Sequence, residues 1–355
     1  MTSRDLPPRP VRIHGLDYAR ALAIIGMIGA HAGDVPEFWL TEPSTWLGVI
    51  HGNPSILFGL LAGVSIAIMT GRTRIPEPHE MPTLRLRLVG RGAVIFGVGL
   101  VLEALGTVVA IILTFYGLLY LLVLPFLRLR PRTLVIIAAG IGLAGPSLGM
   151  CLMYLGGLTY APGLNFLIGG MYPLTTWLPL LLLGLAIGRG DITRITNALA
   201  MAVLGFGVWL LAQGVGVLAF DLIYDLESAG DPDSASAIVV RALLDITAHS
   251  GSTIELIASA GFAFGVLGVC LCLPAALAPV LRPLGALGAM PLTSYSAHIL
   301  SLALLWPGAQ LPLSNLAWFV TVVVLLIACP LYLRRFDRGP LEALAGRVGR
   351  LAAAG

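Results

Sequence analysis

LDYARALAIIGMIGAHAGD (Leu16–Asp34) is an apolar run with an Asp–Arg pair near its start and a histidine near its end. Between Arg20 and His31 every side chain is apolar or absent. The two lie about 11 residues apart, about 16 Å along a helix. Ionisable groups are costly in hydrocarbon. A segment with three of them at its two ends reads as a membrane span whose ends carry chemistry, and that reading fixes the class of the chain.

Composition agrees. Of 355 residues, 57% are hydrophobic and 11% charged, with mean hydropathy +0.93. Soluble domains carry about 25% charged residues. The expected fold is all-α, a polytopic membrane helix bundle forming a single integral membrane domain over residues 1–355. Ten spans are predicted, at roughly 16–33, 53–71, 89–106, 109–127, 133–154, 173–189, 196–220, 253–273, 284–305 and 314–333, each near the roughly 20 residues that cross a bilayer. Only Gly106–Thr107 separates the third from the fourth. Arg4, Arg9 and Arg12 before the first run, with Ala30–Gly33 after it, imitate a signal peptide. Asp17 and Arg20, inside or beside the apolar region, favour a retained span instead.

All 21 basic residues are arginine. With the heavy use of Ala, Gly, Leu and Val, this points to a GC-rich bacterial source. Cytoplasmic loops of membrane proteins are Arg-rich. With ten spans and an inner N-terminus, one side holds Arg4, Arg9 and Arg12; Arg72, Arg74, Arg85, Arg87 and Arg91; Arg128, Arg130 and Arg132; Arg189 and Arg194; Arg282; and Arg334, Arg335, Arg338, Arg347 and Arg350. The other holds Arg241, with Asp34, Glu37, Glu42, Asp221, Asp225, Glu227, Asp231, Asp233 and Asp245. An odd span count would break this division. Both termini are therefore expected in the cytoplasm of a bacterial plasma membrane. The acidic outer connection 221–252 includes SASAIVVRALLDI, which has apolar residues at helical spacing. No basic block flanked by aromatics points to nucleic acid. The four cysteines lie in apolar runs without metal-ligand spacing, so no metal is expected.

Four of the six histidines fall on the outer side of this topology: His31 ending span one, His51 before span two, His249 before span eight and His298 in span nine. Histidine titrates near neutral pH and can take a proton from a hydroxyl or amine. Asp34 shares the face of His31 if the helix continues, and could orient the ring. The plainer reading of each histidine is an interfacial side chain bonded to a carbonyl. Glu103 and Glu255 are acids within or beside spans, either neutral and hydrogen-bonded or on a proton path.

At the inner end, Asp17 and Arg20 could simply neutralise each other, or Arg20 could face the bundle and meet a phosphate. Arg85, Arg87 and Arg91, with Arg128, Arg130 and Arg132, could bind anionic phosphates, membrane lipid being the plainer partner. One helix thus joins a cationic inner mouth to a basic outer mouth, which suits a long ligand lying across the membrane.

These stretches resemble the transmembrane acyltransferases. RIHGLDYARALAIIGMIGAH (Arg12–His31) is similar to their opening, a basic residue, then L/S-D-x-x-R, then an apolar span ending in His or Asn. NPSILFGLLAGVSIAIMTGR (Asn53–Arg72) resembles the second span of the heparan-alpha-glucosaminide N-acetyltransferase family and of the YeiB-like bacterial proteins. YGLLYLLVLPFLRLRPRTL (Tyr116–Leu134), YPLTTWLPLLLLGLAIGR (Tyr172–Arg189) and LGAMPLTSYSAHIL (Leu287–Leu300) resemble later spans. RRFDRGPLEAL (Arg334–Leu344) resembles the YeiB-like C-terminus. The likeness runs over nearly the whole chain.

The resemblance implies an acyl-CoA donor entering from the cytoplasm and an acceptor on the far side.

 The donor so implied is acetyl-CoA or another acyl-CoA, used as a substrate, and the acceptor is an extracytoplasmic small molecule or glycan bearing a hydroxyl or amine. His31 matches the catalytic histidine of acyltransferase family 3. His51 lies in the outer loop that carries the catalytic histidine of the heparan enzyme, though with a shorter spacing to AGVS. The resemblance leaves the base open between His31 and His51, with His298 and Asp34 beside them. It puts Arg20, Asp17, Arg87 and Arg91 near the CoA phosphates. Asn53, Ser294 and Tyr295 are candidate donors to the developing oxyanion by type and depth. Direct transfer and a ping-pong route through an acyl-histidine both remain open, and relatives suggest a homodimer. A transporter or flippase would use the same polar groups without covalent chemistry. The lack of an evident inverted repeat weighs against it.

Overall fold

The computed structural model describes residues 12–157, 162–229, 234–308 and 310–354; Arg4, Arg9, Asp231 and Asp233 lie outside them. The described residues form helices and connections, with no strand among them. In chain order the helices are α1 (His14–Ala32), α2 (Asn53–Met69), α3 (Met81–Glu103), α4 (Ile112–Leu122), α5 (Pro131–Tyr154), α6 (Pro162–Ile168), α7 (Leu174–Gly188), α8 (Ile195–Ala229), α9 (Ala235–Leu244), α10 (Thr253–Cys272), α11 (Arg282–Ala289), α12 (Pro291–Leu305), α13 (Asn315–Tyr332) and α14 (Pro340–Ala352).

Local chemistry sets many of the starts. Proline occupies the first or second position of α2, α3, α5, α11, α12 and α14, where its missing N–H is not needed. Ser234, Ser252 and Ser314 cap α9, α10 and α13, each accepting from the backbone N–H three residues on. The helical spacing read in the outer connection corresponds to α9.

Among the described residues, five stretches are long and apolar enough to cross a membrane: Pro43–Met69, Pro131–Tyr154, Ile195–Leu226, Thr253–Cys272 and Asn315–Tyr332. The other expected spans fall on α1, α3, α4, α7 and the α11–α12 pair, which are shorter or carry charge. The segment 284–305 is not one helix, as expected, but two. Met290 leaves helical geometry at φ −124° and ψ 50°, because the ring of Pro291 crowds the residue before it.

Helix α1 is the axis of the bundle. It packs against α2, α10, α11, α12 and α13, and most of its side chains are buried. Small residues let neighbours close in, as in membrane helices generally. A methyl on Gly63 of α2 would overlap the Leu181 carbonyl of α7, and one on Gly184 the Leu60 carbonyl of α2. Outward faces are apolar: Leu211 and Leu218 of α8 and Phe319 of α13 are exposed. The protein is a helical membrane protein whose exposed apolar faces suit lipid.

Arg189, just past α7, is 4% exposed. Its guanidinium donates to the carbonyls of Thr70, Arg72, Arg74 and Leu127 at 3.1, 3.2, 2.6 and 3.0 Å. It also donates to Thr70 Oγ1 at 3.0 Å. One arginine therefore ties the connection after α2 to the one after α4.

Candidate active site

Helix α1 stops at Ala32, and Gly33 is extended. The start of α13 fixes that end. Ser314 N–H donates to the Ala32 carbonyl at 2.6 Å. The Asn315 amide accepts from Asp34 N–H at 3.1 Å and donates to Asp34 O at 3.0 Å. Trp318 Nε1 donates to the Ile25 carbonyl at 3.0 Å. The helix does not continue to Asp34, so the shared face expected for His31 and Asp34 does not form.

His31 meets His298 instead. Nδ1 of His31 lies 3.2 Å from Nε2 of His298, with the ring planes 5° apart. His298 is 1% exposed, whereas His31 is half-buried. His298 Nδ1 is buried without a hydrogen-bond partner among the described residues. One neutral ring donates and the other accepts, so two tautomers are open to the pair. If His31 Nδ1–H donates, His31 Nε2 carries a free lone pair and can act as a base. If His298 donates, His31 Nε2 carries a proton and can donate a hydrogen bond. Passing from the second arrangement to the first requires His31 Nε2 to lose a proton and His298 Nδ1 to gain one, besides the shift along the shared hydrogen bond.

His51 and His249 belong to a second group. His51 Nε2 lies 3.1 Å from the Val35 carbonyl. A carbonyl only accepts, so a neutral His51 donates there and keeps its Nδ1 lone pair. Glu255, three residues after the Ser252 cap, accepts from His249 N–H at 2.9 Å and Gly251 N–H at 3.0 Å. Gly52 has φ +78°, a conformation that favours glycine. A Cβ there would lie 3.7 Å from His249 Cε1 and 3.8 Å from Glu255 Oε1, so the two loops meet at this residue. Burial, and then the nearby His51, lower the His249 pKa and favour its neutral ring. A cavity of about 30 Å³ is lined by His51, Asn53, Gln213, Glu255 and Ser259 among others, room for a water. Asn53 Nδ2 donates to Val49 O at 2.8 Å, and its Oδ1 is buried without a partner among the described residues. That bond uses one of the two hydrogens on Asn53 Nδ2.

At the other end of α1, Asp17 is 5% exposed. It accepts from Arg12 Nε at 2.6 Å and Arg20 Nη1 at 2.9 Å. Arg20 Nη2 reaches across to Ser65 Oγ of α2 at 2.8 Å. The ion pair and the inward-facing arginine, offered as alternatives by the sequence, are both present. Tyr295 is buried one turn before His298 on α12, and Ser294 Oγ lies 3.5 Å from Cys329 Sγ. Arg87 and Arg91 lie on α3 against α14, away from α1 in sequence and packing.

A cavity of about 530 Å³ is lined by Glu103, Thr114, Tyr172 and Phe166 among others, with no histidine or arginine among its lining residues. Glu103 accepts from Thr114 Oγ1 at 2.6 Å. Among the described residues no three His, Cys, Asp or Glu side chains gather as metal ligands would. Sequence reasoning named His31 and His298 separately, but 267 positions separate them, and nothing in the sequence pairs them. It did not single out Arg189, whose only signal was an arginine closing an apolar helix.

The family model described as heparan-alpha-glucosaminide N-acetyltransferase, catalytic, matches residues 12–227. A second, described as protein of unknown function (DUF418), matches residues 239–349. No curated protein matches the chain. His31 and His51 lie within the first match, and His249, Glu255 and His298 within the second.

Proposed function

Because this chain belongs to the heparan-alpha-glucosaminide N-acetyltransferase catalytic family, we propose that it transfers an acyl group, acetyl first among them, from cytoplasmic acyl-CoA to a hydroxyl or amine outside the membrane. The observation that carries this reading is the His31–His298 pair at one end of α1, with the Arg20–Asp17 pair at the other end of the same helix. In this reading all ten spans cross the membrane, both termini are cytoplasmic and the chain is one domain. The His31–His298 bond, which joins the two family matches, supports a single unit.

His31 is the base, since His298 is too buried to touch an acceptor. His31 Nε2 takes the proton from the acceptor O–H or N–H. The freed oxygen or nitrogen attacks the thioester carbonyl, the carbon–sulfur bond breaks, and the leaving thiolate takes the proton back from His31. His298 is a positioning residue that holds the ring and shares its proton. Arg20 receives anionic charge of the donor at the inner mouth, with Asp17 holding it in place. A positioned base contributes about 100- to 10,000-fold.

The test uses the purified full chain in nanodiscs with acetyl-CoA as donor and glucosamine as probe acceptor. Free thiol is measured with and without acceptor. Acceptor-dependent thiol release is expected, falling about 100-fold or more in His31→Ala. Arg20→Ala is expected to weaken acetyl-CoA binding. A wild-type protein with no affinity for acetyl-CoA would sink the proposal.

A further inference from the structure

Helix α14 lies against α3, and the two backbones come close where Gly90 faces Gly349: a Cβ on Gly90 would lie 3.0 Å from Gly349 Cα. One turn earlier on α14 is Gly346. A Cβ placed there would lie 3.5 Å from Arg350 Nη1, 3.6 Å from Arg338 Nη1 and 3.7 Å from Arg91 Nη1. Three guanidinium groups, from α3, from α14 and from the turn before α14, therefore converge over one side-chain-free position. None of the four ion pairs among the described residues involves any of the three. The carboxylate of α14 itself is committed elsewhere. Glu342 accepts from Leu292 N–H at 2.7 Å, Thr293 N–H at 3.1 Å and Thr293 Oγ1 at 2.6 Å, capping α12. Arg91 Nε is buried without a hydrogen-bond partner among the described residues.

Like charges brought this close repel unless an anion lies between them. Arginine forks match phosphate oxygens. We propose that Arg91, Arg338 and Arg350 form a phosphate-binding site over Gly346, built to take an anionic phosphate group. The phosphate belongs either to a soluble phosphate ester or to an anionic lipid headgroup. The site stands on the geometry of these side chains and holds whether or not the chain transfers acyl groups.

The full chain in phosphatidylcholine nanodiscs is titrated with inorganic pyrophosphate, and binding is read by calorimetry. In parallel, nanodiscs containing phosphatidylglycerol are used, and lipid retained on the purified protein is counted by native mass spectrometry. Arg338→Gln and Arg350→Gln are expected to weaken the ligand about ten-fold or more, as loss of a charge-assisted hydrogen bond does. Gly346→Glu places a carboxylate among the arginines, so it is expected to keep the fold and silence the site. Gly346→Ala, whose Cβ meets only ordinary contacts, retains binding, and so does Arg194→Gln, at an exposed position before α8. Arginine-dependent pyrophosphate binding identifies a soluble phosphate ester. Arginine-dependent retention of phosphatidylglycerol identifies the lipid. If neither ligand responds to Arg338→Gln, Arg350→Gln or Gly346→Glu in folded protein, the site is overturned. Acetyl-CoA turnover is measured separately, so failure here is distinct from failure of the acyltransferase reading.

Discussion

His298 has no direct route to an acceptor, so any part it plays in proton transfer runs through His31. The two histidines should therefore respond differently to substitution. In the proposed mechanism His31→Ala removes the base, and a loss of about 100-fold or more in turnover is expected. His298→Ala leaves His31 in place but frees its ring, so a smaller loss in kcat and a displaced pH–rate profile are expected. His51→Ala, in the second group, should retain most turnover. Steady-state rates across pH in the three variants check this, and a His51→Ala protein as dead as His31→Ala would move the base to His51. Arg189 makes a prediction of stability. Arg189→Ala strands the four carbonyls it binds, at a cost of about 3 kcal/mol or more. Arg189→Lys should recover only part of it, because one ammonium cannot reproduce the fork; melting temperatures in detergent measure both. Residue types were legible in the sequence, and partners were not. His31 was expected to lean on Asp34, three positions away, but the helix stops and the partner comes from α12.

Among elements, α2 and α7 approach so closely that backbone carbonyls occupy the space of a side chain at Gly63 and Gly184. Gly184→Ala forces the two helices apart, and overpacking of this kind costs about 1–3 kcal/mol. A lower melting temperature is expected, whereas Gly207→Ala, with open space around it, should leave it unchanged. The connection between α2 and α3 gives a pH signature. Glu80 accepts from both Arg74 terminal nitrogens at 2.7 and 2.6 Å and from Glu77 N–H at 2.8 Å. Those bonds, Arg74 first, bring its pKa down to about 2 from 4.5. The folded value is below the unfolded one, so this contribution is complete above the unfolded pKa and is lost as pH falls toward the folded one. Melting curves of wild type and Glu80→Gln should therefore differ most above about pH 5 and converge on acidification. A gap that stays constant down to the folded pKa would remove the pair from the stability account. Helix positions were readable because apolar length and proline mark them. The break at Met290 carried one visible signal, Pro291, but prolines also lie within α5, α7 and α13. Local sequence alone does not separate a proline that starts a helix from one inside it.

For the whole molecule, what apolarity makes legible is partial. Among the described residues, five stretches qualify as spans by length and composition alone, while α1 and α3 carry charge along part of their length, and α4 and α7 are short. In the proposed topology arginine distribution decides the remaining crossings, because the cost of moving a positive loop across the membrane depends on the loops and not on the helices between them. That proposed arrangement puts the connection before α5 inside and the connection after α1 outside. Arg130 and Glu42 are exposed in those two connections. In a chain whose four native cysteines are replaced by alanine, Arg130→Cys and Glu42→Cys report the two sides separately. With the protein in the inner membrane of intact spheroplasts, a membrane-impermeant maleimide should label Glu42→Cys at once and Arg130→Cys only after permeabilisation. The reverse pattern would invert the orientation, placing Arg20 outside and His31 inside, and the donor and acceptor sides would exchange with them. Labelling of both positions in intact spheroplasts would mean an even number of crossings between them, where the proposed topology has three, α2, α3 and α4.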